Sequence, residues 1–309
     1  MPLRNIPRIT NLWSKVVDGD KGEWYSRVVL ESTVPFKYEL KEIEGGLVIE
    51  CIGAEVNMPE GVLEVNDGLL RKMNIKQGET DTVRVDLALD YPAAYSLALY
   101  KDFPFRLAIN LDRSYIRNLF TGKRIVIDPG HGGRDHGIKG PVSLLEKNVV
   151  LPIARNLEKL LRKTGAQVIL TRSGDEDISL QERAALAQQA GTDAYISIHT
   201  NASADSGVEG AATLYSPVNS TSEKLARYIQ EEIIKKLKVR DRGIAEQPDL
   251  AGMDKGIPAV EVEVVTITNI VEEVFLRGLT IQKRAAEGIV NGLIKYFAPE
   301  GLIVKGDKN

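Results

Sequence analysis

The sequence predicts two domains: a small all-β sandwich, then an α/β domain with a mostly parallel sheet flanked by helices. Three observations carry this. The chain has 309 residues, 43% of them hydrophobic, which suits about two domains of roughly 100–200 residues each with ample material for a core. Short alternating β-branched segments, separated by Gly, Pro, Asp and Asn, fill residues 1–112. From about residue 122 to 298, strand-like and helix-like segments alternate, which is the pattern of a parallel sheet with helices packed on it.

In the first domain the strands are WYSRVVLEST, FKYELKEIEGG, LVIECIGAEV, DTVRVDLALD, AAYSLALYK and FRLAINLD. EGG at 44–46 and NDG at 66–68 read as hairpin turns, where glycine supplies a positive φ. Val83, Val85 and Leu87 alternate with Arg84, Asp86 and Ala88, so each strand has one face to bury. The pattern changes in RSYIRNLFTGK, and residues 113–121 are read as a linker.

The second domain opens with the buried strand KRIVIDPG. EKNVVLPIARNLEKLLRKTG is an amphipathic helix with Val149, Ile153, Leu157, Leu160 and Leu161 on one face and Gly165 at its end. Strand AQVILTR precedes helix SLQERAALAQQAG, where Ser179 and Glu182 form a capping box. Strands DAYISIHTN and GAATLYS follow, then the long helix SEKLARYIQEEIIKKLK. Strand PAVEVEVVTIT and helix LTIQKRAAEGIVNGLIKYF close the fold, and 299–309 reads as a loose tail.

Composition narrows the function. A net charge of −3 and the lack of any Lys/Arg block argue against nucleic acid as a partner. Cys51 is the one cysteine, which excludes an internal disulfide and a cysteine-rich zinc site. No apolar run approaches the roughly 18 residues of a transmembrane segment. The start, MPLRNIPRITNLW, has no signal-like apolar stretch, so the protein is either cytoplasmic or without its leader here.

Of three histidines, two end predicted strands: His131 follows IVID in VIDPGHGG, and His199 follows AYISI. Ligands of open α/β sheets gather at the carboxyl ends of strands, so both imidazoles are expected at one sheet edge. Two converging imidazoles suit zinc, which in catalytic sites takes a third protein ligand and leaves a position for water. Glu146, in LLEKN at a helix start, is the candidate third ligand; a glutamate there also reads as an ordinary helix-dipole residue. His136, in polar RDHGIKG, is read as solvated. GHGGRDHG fits no nucleotide-binding fingerprint. Gly130, Gly132 and Gly133 are read instead as a tight turn that leaves an open floor for substrate. Glu261 and Glu263, in AVEVEVV, share one strand face; such a pair calls for a cation or a raised pKa, or else marks a wet edge strand.

VIDPGHGGRDHG, LLEKN, TR at 171–172, SLQERAALAQQAGTDAYISIHTNA and IPAVEVEVVTITN, in that order, resemble the zinc-dependent N-acetylmuramoyl-L-alanine amidases of the type-3 family. The resemblance covers about residues 122–298. It implies a peptidoglycan hydrolase that cuts the linear amide between N-acetylmuramic acid and L-alanine of the stem peptide. It implies one Zn2+ per chain, held by His131, Glu146 and His199. The family's catalytic glutamate lies five residues after the proline of its strand, which from Pro258 is Glu263. Glu261 stands where the family usually has an apolar residue, and Val265 and Thr266 replace its Gly-Phe. Asp128, Asn201 and Glu261 are candidates for binding substrate or supporting the ligands, and Arg172 and Arg183 are expected in structural ion pairs.

DTVRVDLAL and FRLAINL give residues 1–112 a likeness to the AMIN domain, which implies targeting to peptidoglycan or to envelope or septal partners. Some relatives carry a helix that plugs the zinc site, between the second histidine and the last glutamate. Here a strand, one long helix and a loop fill that interval, so no plug is expected. The implied substrate places the protein outside the cytoplasm, in periplasm or cell wall. A degenerate peptidoglycan-binding protein and a zinc peptidase acting within the stem are the alternative readings.

Overall fold

Period-two alternation in the first part of the chain produces ten strands among the described residues. The computed structural model describes residues 6–299 apart from 20–21, 80, 249 and 251–255. The strands are β1 (Arg8–Asp18), β2 (Trp24–Ser32), β3 (Lys37–Ile43), β4 (Gly46–Ile52), β5 (Glu55–Val56), β6 (Gly61–Glu64), β7 (Leu70–Gln77), β8 (Thr82–Leu89), β9 (Tyr95–Tyr100) and β10 (Phe105–Asp112). They form two five-stranded sheets, ordered β5-β1-β2-β10-β9 and β3-β4-β8-β7-β6. Val28, Leu30, Leu107 and Ile109 of one sheet and Ile49, Ile75, Val83 and Val85 of the other are fully buried. Gly45 closes the β3–β4 hairpin at φ 75°, and Asn66 and Gly68 close β6–β7 at φ 50° and 89°. β1, β6 and β7 are additional to the strands expected from sequence. The first has the bulge-broken register of an exposed strand, which blurs its alternation.

The chain divides into two compact units, one holding residues up to Ile116 and the other Arg117–Ala298. The stretch read as a linker contains the division between the units and is helical, forming α1 (Ser114–Phe120), whose Ile116 and Phe120 are fully buried. Most of the expected tail, from residue 300 on, lies outside the described residues.

The second unit contains β11 (Arg124–Pro129), α2 (Glu146–Lys163), β12 (Gln167–Leu170), α3 (Leu180–Ala190), β13 (Ala194–Asn201), β14 (Ala211–Tyr215), α4 (Ser222–Leu237), β15 (Asp241–Glu246), β16 (Ala259–Thr266), α5 (Ile270–Leu276) and α6 (Leu279–Phe297). The sheet order is β12-β11-β13-β16-β14-β15. The sheet is mixed: β12, β11, β13 and β16 run parallel, as do β14 and β15, but β14 lies antiparallel to β16. β15 occupies a stretch read as loop, because an edge strand of sequence DRGIAE has no buried face to impose alternation.

One sheet face presents Ile125, Ile127, Ile196, Ile198, Val260 and Val262, all fully buried; helices α2 and α4 pack on the sheet, and α6 packs against both helices. On the other face α3 covers only the strand beginnings, where Val126, Tyr195 and Ala259 meet Ala184 and Ala187. Two residues further along, the same face turns polar: Asp128, Ser197 and Glu261, then His199 and Glu263. The first turn of α3 reaches this polar part at Asp128 through Arg183. Leu180 shares a cavity wall with His199 and Glu261, so the carboxyl ends of the strands remain open for chemistry.

Candidate metal centre

Glu146 sits at the centre of the polar cluster. It is the first residue of α2 and its side chain is only 1% exposed. One carboxylate oxygen, Oε2, accepts the backbone N–H of Ile138 (3.0 Å) and lies 3.0 Å from His131 Nε2. The other, Oε1, accepts the N–H of Thr200 (2.8 Å) and lies 3.1 Å from His199 Nδ1. The two imidazoles stand edge to face, 4.9 Å between centroids. Three residues from three segments are thus brought together, their donor atoms all within 4.8 Å of one another.

These donors fit a zinc ion. Two ligands each about 2.0–2.2 Å from one ion stand up to about 4 Å apart, and the His–Glu separations fall inside that. Imidazole nitrogen and carboxylate oxygen are both zinc donors, and a buried carboxylate between two rings supplies the negative charge a cation needs. Among the described residues, no other group of three or more such side chains meets this test.

The loop from β11 holds the first ring. His131 has a φ of 59°, a left-handed conformation uncommon for a side-chain-bearing residue, of the kind that persists where surrounding contacts over-determine it. Those contacts are visible. Arg183 Nη2 donates to the His131 carbonyl (2.8 Å), and Asp135 Oδ2 faces His131 Nδ1 at 2.8 Å. Asp128 makes no hydrogen bond or ion pair with any of the three ligands, though its charge helps to raise His199. Buried, it accepts from Thr171 Oγ1 and Tyr195 OH, both at 2.5 Å, and pairs with Arg183. Arg183 is therefore in an ion pair as expected. Arg172 is not: its guanidinium donates to the carbonyls of Pro129, Gly130, Gly174 and Lys147, bracing the loop through backbone acceptors. His136 is exposed. Asn201 is buried and donates to Thr266 Oγ1 (3.0 Å), joining the ends of β13 and β16.

Gly132 and Gly133, at φ 128° and 57°, make the tight turn expected of them, but the open floor is not found. A Cβ on Gly130 would stand 2.2, 2.3 and 2.7 Å from Cε1, Nε2 and Nδ1 of His199, so its bare Cα is a floor for an imidazole rather than for substrate. Gly137, at φ 65°, is similarly pressed against His131 and Glu146. Replacing Gly130 by Ala is expected to displace the His199 ring, to destabilise the protein by about 1–3 kcal/mol, and to weaken zinc binding. Chelator competition and thermal melts check this; unchanged values in both would mean the ring is not seated on that Cα.

The cluster's electrostatics are strongly coupled. Burial pushes the Glu146 carboxyl up, but hydrogen bonds and charge from His131 and His199 override it and hold it well below the usual carboxylate range. Burial opposes protonation of His199, yet Glu146 and the charge of Glu261 raise it to about 9. His131 is raised as well, against burial, by Glu146 and Asp135. In the metal-free protein the His199 contribution to stability is complete below its ordinary 6.5 and is lost as pH rises through about 9. The Glu146 contribution is present above its ordinary 4.5 and is lost only as pH falls far below that. EDTA-treated protein is therefore expected to melt at progressively lower temperature from about pH 6.5 to 9. Zinc-loaded protein gains relative stability over the same range, because ligation needs neutral imidazoles. Melting curves that stay parallel with and without zinc would contradict this.

On β16, Glu263 and Glu261 have separate neighbours. Glu263 Oε2 accepts from Arg242 Nη1 of β15 (3.0 Å), and its register partner on β13 is His199. Glu261 Oε2 lies 4.0 Å from His199 Nε2. Burial raises the Glu263 carboxyl above its ordinary value; Arg242 opposes this and Glu261 adds to it. A cavity of about 380 Å³ opens beside the cluster, with Asp128, Leu180, Arg183, His199 and Glu261 in its wall. Of the described residues between 200 and 262, Glu261 alone lines it; residues 249 and 251–255 of that interval lie outside the described residues. Asp135, Gly137 and Arg242 were not singled out by sequence. Asp135 and Gly137 lie in the GGRDHG stretch, and only the fold shows what they touch.

The sequence profile of the N-acetylmuramoyl-L-alanine amidase family matches residues 125–295. The N-acetylmuramoyl-L-alanine amidase LytC of Bacillus subtilis is 36% identical over 184 residues, which is 59% of this chain and 37% of that protein. The probable cell wall amidase LytH of Staphylococcus epidermidis is 37% identical over 194 residues, 62% of this chain and 64% of that protein. The chain thus spans less than two thirds of the length of either relative. The crystal structure of an N-acetylmuramoyl-L-alanine amidase from Clostridium difficile 630 superposes with a TM-score of 0.55 at 36% identity, covering 58% of this chain and 98% of that one.

Proposed function

This chain belongs to the N-acetylmuramoyl-L-alanine amidase family, and from that premise we propose that it is a zinc-dependent peptidoglycan hydrolase cutting the amide between N-acetylmuramic acid and the L-alanine of the stem peptide. The observation that carries the reading is the convergence of His131, Glu146 and His199 at one open sheet edge. These three would hold the ion. Zinc there would act as a Lewis acid on the scissile carbonyl and lower the pKa of water toward about 7. Glu263 takes a proton from the attacking water and delivers it to the alanine nitrogen as the C–N bond breaks, leaving a lactyl carboxylate and a free amine. The raised carboxyl pKa suits both transfers, and Arg242 fixes the side chain near His199. Asp128, Arg183 and Arg172 keep the His131 loop in place.

The first unit serves location, as an AMIN-like module that brings the enzyme to peptidoglycan or to an envelope partner. The site of action lies outside the cytoplasm, in periplasm or cell wall. No helix among the described residues is long and apolar enough to cross a membrane.

Digestion of purified sacculi with zinc-loaded protein, followed by mass spectrometry, tests the reading. The expected products are stem peptides with a free L-alanine N-terminus and glycan strands with free lactyl carboxylates. Peptides cut within the stem would identify a peptidase, and binding without release would identify a degenerate, non-catalytic domain.

A further inference from the structure

The loop that ends in Glu146 is held at two places, its neck and its tip. At the neck the Glu146 N–H donates to the Ile138 carbonyl (2.9 Å) and the Ile138 N–H to Glu146 Oε2 (3.0 Å), with Lys139 and Leu145 bridged as an antiparallel pair. The tip, residues 141–143, is exposed, so burial of its side chains does not fix it. Nor does a capping side chain fix the start of α2, since its N-cap residue is Leu145. The place of Glu146, first residue of that helix, therefore depends on what holds the tip.

A buried carboxylate on α5 holds it. Glu273 has no exposed side-chain surface. Its Oε2 accepts the N–H of Val142 (2.5 Å) and its Oε1 the N–H of Leu144 (2.7 Å). Arg277, one turn on, donates from Nη2 to Glu273 Oε1 (3.0 Å) and to the Val142 carbonyl (2.7 Å). Burying a carboxylate is costly unless partners of this kind are in place, so the acid and the loop tip specify one another. Gly140 permits the approach: a Cβ there would stand 2.5 Å from Glu273 Cδ. At its other side α5 is tied to the end of β16. Asn269 caps the helix through the N–H groups of Val271 and Glu272, and Glu272 accepts from the N–H groups of Gly210 and Thr266, the latter the last residue of β16. The helix thus joins the strand that carries Glu263 to the loop that delivers Glu146.

We infer that Glu273 is a positioning residue for Glu146: by clasping the tip of the loop to α5, it sets where the central carboxylate stands relative to His131, His199 and Glu263. The consequence for metal binding rests on the zinc reading, whereas the clasp is a property of the protein alone. Glu273 acts through the loop backbone and moves no proton in the reaction.

The test uses the full chain with Glu273→Gln, Gly140→Ala and, as a control, Glu272→Gln. The first turns an amide NH2 toward one of two backbone donors. The second crowds the clasp from the loop side and leaves α5 intact, so it decides the matter where the first does not fold. The third removes a carboxylate of the same helix that serves other backbone groups. Hydrogen exchange at the Ile138 amide of the metal-free proteins reports the neck beside Glu146, and competition with a chromophoric chelator reports zinc affinity. Glu273→Gln and Gly140→Ala are each expected to speed Ile138 exchange about 10-fold, as befits a loop that has lost a buried acceptor. Both are expected to weaken zinc binding about 10–100-fold, the usual result when the support of a metal ligand is removed. Glu272→Gln is expected to lower the melting temperature and to leave exchange and affinity near wild type. Wild-type exchange and affinity in Gly140→Ala or in folded Glu273→Gln overturns the inference. Equal weakening by Glu272→Gln also overturns it, because general loosening of α5 would then account for the effect. If the wild type binds no zinc, the hydrolytic reading fails instead, and the exchange comparison still decides the role of Glu273.

Discussion

Replacing Glu263 by Gln is expected to leave zinc content unchanged and to lower release of stem peptide from sacculi by about 10²–10⁴-fold, the usual contribution of a positioned proton-transfer group. The variant keeps the size of the side chain and an oxygen able to accept from Arg242, so the local fold has no reason to change. It loses the one property the reaction asks for, a site that binds a proton and gives it back. The surroundings of Glu263 favour such exchange. Burial and the neighbouring charge of Glu261 raise the carboxyl pKa, and the pairing with Arg242 limits the rise. Zinc titration alongside product analysis separates the roles. A Glu263→Gln protein with near wild-type turnover would remove Glu263 from the chemistry and leave Glu261, in the cavity wall, as the remaining carboxylate of that strand.

His199→Ala is expected to have the second large effect, and of a different kind. It removes one of three converging donors, so metal and activity should be lost together. It also takes away one of the groups that hold the buried Glu146 carboxylate ionised. Breaking a buried pair from one side commonly costs about 3–5 kcal/mol. Here the remaining partners, His131 and the N–H groups of Ile138 and Thr200, reduce the loss, so a smaller drop in melting temperature is expected in the metal-free variant. Elemental analysis of the purified variant reads the metal directly. Stoichiometric zinc in His199→Ala would show that the ion is held elsewhere.

The two predictions differ in what makes them possible. His131, His199 and Glu146 could be named from sequence because each stands at an element boundary. A buried apolar run ending in a histidine, or a glutamate opening an amphipathic helix, is a local pattern, and parallel strands deliver their ends to one edge. Arg242 could not be named. It lies on an exposed edge strand without apolar alternation, and it matters only because β14 turns antiparallel and lays β15 beside it, within reach of Glu263. The part played by Gly130 was hidden for a similar reason: the ring above it belongs to a residue on a different strand.

What the sequence determined by itself was therefore the periodic part. This comprised a β-rich first unit, strand and helix alternating in the second, the turns at Gly45 and Gly68, the capping box of α3, and polar residues at strand ends. These follow from interactions between residues a few positions apart, or from the requirement that each element bury one face. The tertiary structure alone decided that residues 114–120 are helix, that one strand of the sheet runs against its neighbour, that Arg172 binds carbonyls rather than a carboxylate, and which acid faces which nitrogen of His199. Each of these depends on contacts between segments far apart in the chain. Periodicity shows which side of an element is buried, but not what will be lying against it.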